Sequence, residues 1–216
     1  MDVLSETWWY PLQYGDTLSN HEWIPLYINR LMASDFVAHA IAEGRRGDIG
    51  TALLLWVGSF KEDPAGTLPD DDVRLAQIAG FGPDVAGWRA VRPGALYGFV
   101  PVEISGAAPG RKQRLAHPVI AEIAHDMHRR KRGRDQAREA SRLSSLRNRV
   151  RIKLKAMGWP QSTWESRTVV EAVSIFLDQA NLYCTDENVS VAMQEAVGIP
   201  REVPRINGLR GSPGGV

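Results

Sequence analysis

Ten cations in this sequence are spaced so that they could do chemistry, and that chemistry is ionic recognition rather than bond-breaking. Arg89 and Arg92 sit three residues apart beside Trp88; Arg111, Lys112 and Arg114 follow a glycine-rich loop; Arg129, Arg130, Lys131, Arg132 and Arg134 form a nearly unbroken run. A guanidinium carries a rigid fork of N–H donors and an ammonium a compact charge, and both suit the phosphates of a polyanion. Residues 111–155 hold 15 Lys or Arg against Glu122, Asp126, Asp135 and Glu139, so this segment carries +11 and the remainder −10, although the whole chain is only +1. Such segregation marks a polyanion-binding surface on an otherwise acidic body.

Other reactive groupings are weaker. Glu122, His125 and His128 fall at one-turn intervals and could be drawn as a metal site, but no fourth ligand is in sight. The run Gly106-Ala-Ala-Pro-Gly-Arg-Lys-Gln looks like a phosphate-binding loop, yet its spacing is wrong, it lacks the Ser or Thr that would hold magnesium, and it does not lead from a strand into a helix. Cys184, the only cysteine, follows Tyr183 at the end of an apolar helix, which reads as a buried structural thiol rather than a nucleophile. With no metal pair and no nucleophile elbow, no enzyme, catalytic residue, metal or cofactor is expected. A lone cysteine suits a reducing compartment, the apolar run at residues 51–57 is too short to span a membrane, and no signal segment opens the chain, so the expectation is a cytoplasmic protein without a membrane.

The elements that would position these cations can be read from periodicity. Residues 1–33 form an aromatic arm with Trp8, Trp9, Tyr10, Tyr14, Trp23 and Tyr27, expected to pack on the core. Ser34 caps a helix bearing Phe36, Val37, Ala40 and Ile41 and stopped by Gly44; a central core helix follows, with Ile49, Ala52, Leu53, Trp56, Val57 and Phe60 at helical spacing. Two short helices then flank a glycine turn. Pro69 and Asp70 to Asp72 open the first, Gly80 and Gly82 make the turn, and Pro83 or Asp84 starts the second, with Val85, Trp88 and Val91 inward and Arg89 and Arg92 outward. After Pro93 and Gly94 the period becomes two, at Leu96, Gly98, Val100, Val102 and Ile104, and residues 111–117 can return as a second strand. Three helices and a two-stranded hairpin describe a winged helix-turn-helix over residues 34–117, with Arg111, Lys112 and Arg114 on the wing.

Pro118 opens a long basic helix over residues 118–158, with Ile120, Ile123, Ala124 and Met127 packed on the body and a break expected at Gly133. Residues 159–200 form a helical pair, the first helix started by a capping box of Ser162 and Glu165; Leu143, Leu146 and Val150 have the spacing of a short coiled-coil seam, so self-association is an option. Residues 201–216 are expected to be a disordered tail. The fold class expected is thus mainly α with a small β-hairpin.

Leu54, Leu55 and Trp56, then Gly66-Thr-Leu-Pro-Asp-Asp-Asp, Leu75-Ala76, Trp88 and finally Arg114-Leu115 with His117-Pro118 resemble the YdaU-like domain, a family of bacterial and prophage proteins often placed among phage replication genes. The resemblance covers roughly residues 34–132. It implies a winged helix and a part in starting phage or prophage DNA replication, and no enzyme; it departs at Glu43-Gly-Arg-Arg-Gly-Asp-Ile-Gly, and it supplies no binding residues.

The expectation is a non-enzymatic protein that binds double-stranded DNA, with Arg89 and Arg92 at the groove, Arg111, Lys112 and Arg114 at phosphates beside the wing, and residues 129–132 with Arg134 along the flanking backbone. The alternative is an adaptor that recruits replication or transcription proteins through the winged helix and the C-terminal helices; RNA binding, without a recognisable RNA module, stands behind it.

Overall fold

Capping side chains and glycines set the limits of most elements in the computed structural model, which describes residues 8–106 and 113–198. α1 (Ile28–Met32) is a single turn that buries nothing. Ser34 accepts from the Val37 amide at 3.3 Å and opens α2 (Asp35–Ala42), after which Gly44 takes a left-handed φ of +74°. α3 (Arg46–Ser59) runs into a turn at residues 60–66, β1 (Thr67–Pro69) follows, and Asp71 caps α4 (Asp72–Ile78) by accepting from the Arg74 amide at 3.0 Å. Gly80 and Gly82, both at positive φ, turn the chain into α5 (Val85–Ala95), capped by Asp84. β2 (Val100–Val102), β3 (Arg114–Ala116) and α6 (Pro118–Ala156) come next, and α7 (Gln161–Trp164), α8 (Arg167–Gln179) and α9 (Asp186–Val197) complete the described chain.

The protein is mainly helical with one small antiparallel sheet, and it divides into two compact units between Gly133 and Arg134. In the first, the sheet order is β1-β3-β2: Thr67 and Val100 both stand opposite Ala116, and Pro69 and Val102 both stand opposite Arg114. Successive residues of β3 point to opposite faces, so Leu115 joins a core of Leu55, Leu68, Leu75, Trp88 and Ala95, while Ala116 joins one of Tyr10, Leu12, Leu18, Phe60, Ile120 and Ala124. The aromatic arm joins the second of these cores through Trp8, Tyr10, Tyr14 and Tyr27, whereas Trp9 and Trp23, expected to pack with them, are exposed. Tyr10 donates its amide to the Glu103 carbonyl at 2.8 Å and its hydroxyl to the Ala65 carbonyl at 2.7 Å, which pins it beside the sheet and over the turn before β1. Gly66 in that turn has φ +82°, and a Cβ there would lie 2.5 Å from the Tyr10 hydroxyl and 2.7 Å from the Ala124 Cβ.

The second unit packs the last turns of α6 against α8 and α9 through Leu146, Val150, Leu154, Val170, Val173, Leu177, Val189 and Met193. Ion pairs lie over this core: Arg147 with Glu171 at 2.9 Å, Arg142 with Asp178 at 2.5 Å and Lys153 with Asp186 at 2.7 Å. Thr185 caps α9, which stops at Gly198 in the left-handed region, as its sequence signals indicate.

Several expectations are corrected. Pro69 ends a strand instead of opening a helix, which makes the sheet three-stranded; three residues are too few for alternation to reveal β1. The strand expected from Leu96 shrinks to Val100–Val102, because α5 continues through Pro93 to Ala95; a proline in the last turn forfeits only one helical bond. α3 buries Ala52, Leu55 and Ser59, leaving Val57 half exposed, because Ile78 of α4 seats on Gly58, where a Cβ would approach it to 2.3 Å. Glu165 accepts from the Gln161 side chain at 3.0 Å, and Ser166, not Ser162, caps α8. α6 passes through Gly133 unbroken: residues 132–142 are exposed on every side, and each half of the helix is held by the core of its own unit. The division between the two units falls inside α6, while the expected boundaries at 117 and 158 lie at the ends of that helix. The tail at residues 201–216 lies outside the described residues. Among the described residues no helix is long and apolar enough to cross a membrane.

Two outcomes follow from this packing. Gly66→Ala should destabilise the fold by about 2 kcal/mol or more, combining a left-handed alanine with overpacking, as read by urea denaturation; wild-type stability would mean that the arm does not press on this turn. Burial pushes the imidazoles of His117 and His128 below their usual 6.5, the latter partly restored by Asp16, so the unfolded chain takes up protons first as the solution is acidified. Their contribution is complete above 6.5 and is lost as pH falls through the depressed folded values. From roughly pH 7.5 to 5.5 the unfolding midpoint should fall further for the wild type than for a His117→Asn/His128→Asn variant, and parallel curves would refute the assignment.

Candidate nucleic-acid interface

The N-terminal end of α4 meets the middle and last turn of α5, and carboxylates determine what is presented there. Asp84 accepts from the Gly87 amide at 2.8 Å, and a Cβ at 87 would come within 2.2 Å of the Asp84 carboxylate, so a side chain there would displace the carboxylate from this position. One turn of α5 then buries Trp88 completely against Leu75 and its neighbours. The Trp88 indole N–H donates to Asp72 Oδ1 at 3.1 Å, and Arg89 donates through Nε to Asp72 Oδ2 at 2.7 Å. Arg92 donates to Asp70 Oδ1 at 2.6 Å, with its Nε enclosed 3.4 Å from Asp72 Oδ1 but without hydrogen-bond geometry. The hydrogen bond from Arg89, aided by that from Trp88, holds the Asp72 carboxyl below the usual carboxylate range against the opposing effect of burial.

The outer face of α5 consists of Ala86, Arg89, Ala90 and Pro93, all exposed. Arg89 stands at its edge with 66% of its side chain in solvent. Arg92 does not share that position: it lies on the flank toward α4, its guanidinium divided between Asp70 and Asp72, so the expectation that both arginines face outward holds for Arg89 alone.

Arg114 corrects the wing. It lies on the central strand of the sheet with only 9% of its side chain exposed, and its guanidinium bonds Glu62 Oε2 at 2.8 Å and Thr67 Oγ1 at 3.0 Å. Arg74 shares Glu62 from the solvent side at 3.1 Å. A guanidinium enclosed in this way, with Nε and one Nη engaged, ties the sheet to the turn after α3 and is too buried to lie along a phosphate backbone. Arg111 and Lys112 lie outside the described residues.

Within the basic run of the first unit, roles also divide. Lys131 turns back to donate to the Thr17 carbonyl at 2.9 Å, close to the pair of His128 with Asp16. Arg129 pairs with Asp126 at 3.2 Å yet remains 70% exposed, and such exposed pairs hold their partners weakly. Arg130 and Arg132 are exposed, with no hydrogen bond or ion pair among the described residues. Arg134 is exposed, is engaged in an interaction of its own, and begins the second unit. The described cations expected to form one surface are thus sorted into separate groups: Arg89 and Arg92 with Asp70 and Asp72, Arg114 with Glu62, and the helix-borne run.

Asp70, Asp72 and Glu62 are the members of this site that periodicity does not reveal. Their partners lie 22, 17 and 52 residues away, beyond any helical or strand repeat. The one signal available was a cluster of three carboxylates next to a helix followed by one bearing two arginines, and helix-dipole stabilisation accounted for that cluster equally well. Trp56, expected in the core, lines an apolar cavity of about 110 Å³ with Phe36, Tyr97 and His117, and its buried indole N–H has no acceptor among the described residues. Cys184 is half-buried and its thiol is pushed up by burial, which disfavours the thiolate. Among the described residues, no three His, Cys, Asp or Glu side chains are grouped to hold a metal ion.

No family model, curated protein or solved structure matches the chain.

The two arginine environments separate cleanly in stability. Arg114→Met should cost about 3 kcal/mol in urea denaturation by removing a buried guanidinium and its bonds to Glu62 and Thr67, whereas Arg89→Ala should stay within about 1 kcal/mol of the wild type. Equal effects would contradict the contrast in burial.

Proposed function

We propose that this chain binds double-stranded DNA through a winged helix-turn-helix, in which α5 enters the major groove and the loop joining β2 to β3 is the wing. The observation that carries the reading is the order α3-β1-α4-α5-β2-β3 with sheet order β1-β3-β2, which leaves the Ala86, Arg89, Ala90 and Pro93 face of α5 uncovered. Small side chains on that face let the helix backbone approach base edges closely. Affinity comes from elsewhere: Arg129, Arg130 and Arg132 offer charges that release counterions from the phosphate backbone, and Arg111 and Lys112, which follow β2 in sequence, are candidates for the same role. Arg114 and Arg92 are structural in this reading. The role is one of recognition, without catalysis, and the resemblance to the YdaU-like domain supports a part in phage or prophage replication or its regulation.

A second reading, an adaptor for another protein, is favoured by one observation. Trp23, Ile28 and Met32 on and before α1 are exposed to 62%, 66% and 71%, an apolar strip unlike a surface meant only for solvent.

A duplex titration at two salt concentrations separates the two. Arg130→Gln/Arg132→Gln should weaken binding to all duplexes alike and lower the slope of log affinity against log salt by about 2, at roughly 0.9 per phosphate contact. An Ile28→Asp/Met32→Asp variant should leave duplex affinity unchanged. Absence of duplex binding by the full chain at low salt would overturn the DNA reading, and an unchanged slope would remove these arginines from it.

A further inference from the structure

Resting on the winged-helix reading, we infer that Arg89 reads a guanine in the major groove and that Asp72 is the residue that positions it. An arginine meant only for phosphates needs no support, since a flexible charge finds phosphate oxygens from many rotamers. Arg89 is instead held. Its Nε is engaged by Asp72 Oδ2 at 2.7 Å, and the other oxygen of that carboxylate accepts from the indole of Trp88 at 3.1 Å. Trp88 is wholly buried, so the carboxylate is fixed from the core side by a group that does not move, and the guanidinium inherits that orientation.

This arrangement uses the Nε of Arg89 and leaves both Nη nitrogens without a hydrogen bond among the described residues, on a side chain 66% exposed at the edge of the outer face of α5. Two parallel N–H donors match the two acceptors O6 and N7 that guanine alone presents side by side in the major groove. Adenine sets an amino donor next to N7, cytosine offers an amino donor, and thymine a single acceptor beside a methyl group, so each leaves a guanidinium N–H unpaired or opposed. The charge balance points the same way. Arg89 and Arg92 are matched by Asp70 and Asp72, which makes the cluster neutral overall and a poor source of general attraction to DNA. What remains to it is discrimination, while the basic run supplies affinity.

The full chain is used to select binding sites from a randomised duplex pool, and each guanine of the selected site is then replaced in turn by 7-deazaguanine, which lacks the N7 acceptor. One such replacement should weaken the wild type about tenfold and leave Arg89→Ala unaffected. Asp72→Asn should lose most of that discrimination with its far-UV spectrum unchanged and its affinity for unselected duplex no weaker than that of the wild type, since a carboxylate has been removed, and should add no further loss of discrimination in the Arg89→Ala background. Duplex binding with no guanine dependence, or a dependence that survives Arg89→Ala, overturns the inference and leaves the DNA reading standing. Discrimination retained by Asp72→Asn removes Asp72 as the positioning residue. Failure of the wild type to bind any duplex at low salt overturns the DNA reading and the inference with it.

Discussion

The close approach at Gly66 is the constraint from which the first unit follows. Three segments distant in sequence meet where position 66 has no side chain: the arm through Tyr10, the first turns of α6 through Ala124, and the turn that feeds β1. The phenol of Tyr10 could not reach the Ala65 carbonyl, nor could α6 lie against the turn, if a methyl group stood between them. Because the turn is seated there, β1 is delivered alongside β3, and the chain leaving β1 passes directly through Asp70 and Asp71 into α4. The position of Asp72, and through it the presentation of Arg89, is downstream of that contact.

Electrostatics in this protein is a matter of allocation more than of net charge. A guanidinium costs a great deal to bury unless its donors are used, and Arg114 uses them on Glu62 and Thr67. Arg92 is drawn into the Asp70 and Asp72 pair and serves the junction of α4 with α5. Among the described residues, cations with no carboxylate partner, such as Arg130 and Arg132, or with donors left over, such as Arg89, stay available to a ligand. A residue's charge says that it could bind a polyanion; its neighbours decide whether it does.

α6 shows a helix kept whole by its ends. Gly133 and its like-charged neighbours favour neither helix nor burial, and residues 132–142 touch no core. Packing of Ile120, Ile123, Ala124 and Met127 in the first unit and of Leu146, Val150 and Leu154 in the second supplies nucleated helix on both sides, so the intervening turns need only propagate. The segment between is polar all round, as expected of a helix that joins two separately packed bodies.

Local signals were enough for much of this protein. Ser34, Asp84, Thr185, Gly44, Gly80 and Gly198 mark helix limits because capping and left-handed turns depend on residues within a few positions of one another, and Trp88 and Ile120 are placed in the core by helical repeat alone. The amino-acid order likewise determined that positive charge is gathered in residues 111–155. Tertiary structure decided the rest. It made a strand of Thr67–Pro69, which is too short to declare itself, and it turned Asp70 and Asp72 from helix-opening carboxylates into partners of Arg92 and Arg89. It also took Arg114 out of solvent. These outcomes depend on contacts between residues 17 to 52 positions apart, where pairing is set by how helices and strands pack and not by any repeat along the chain.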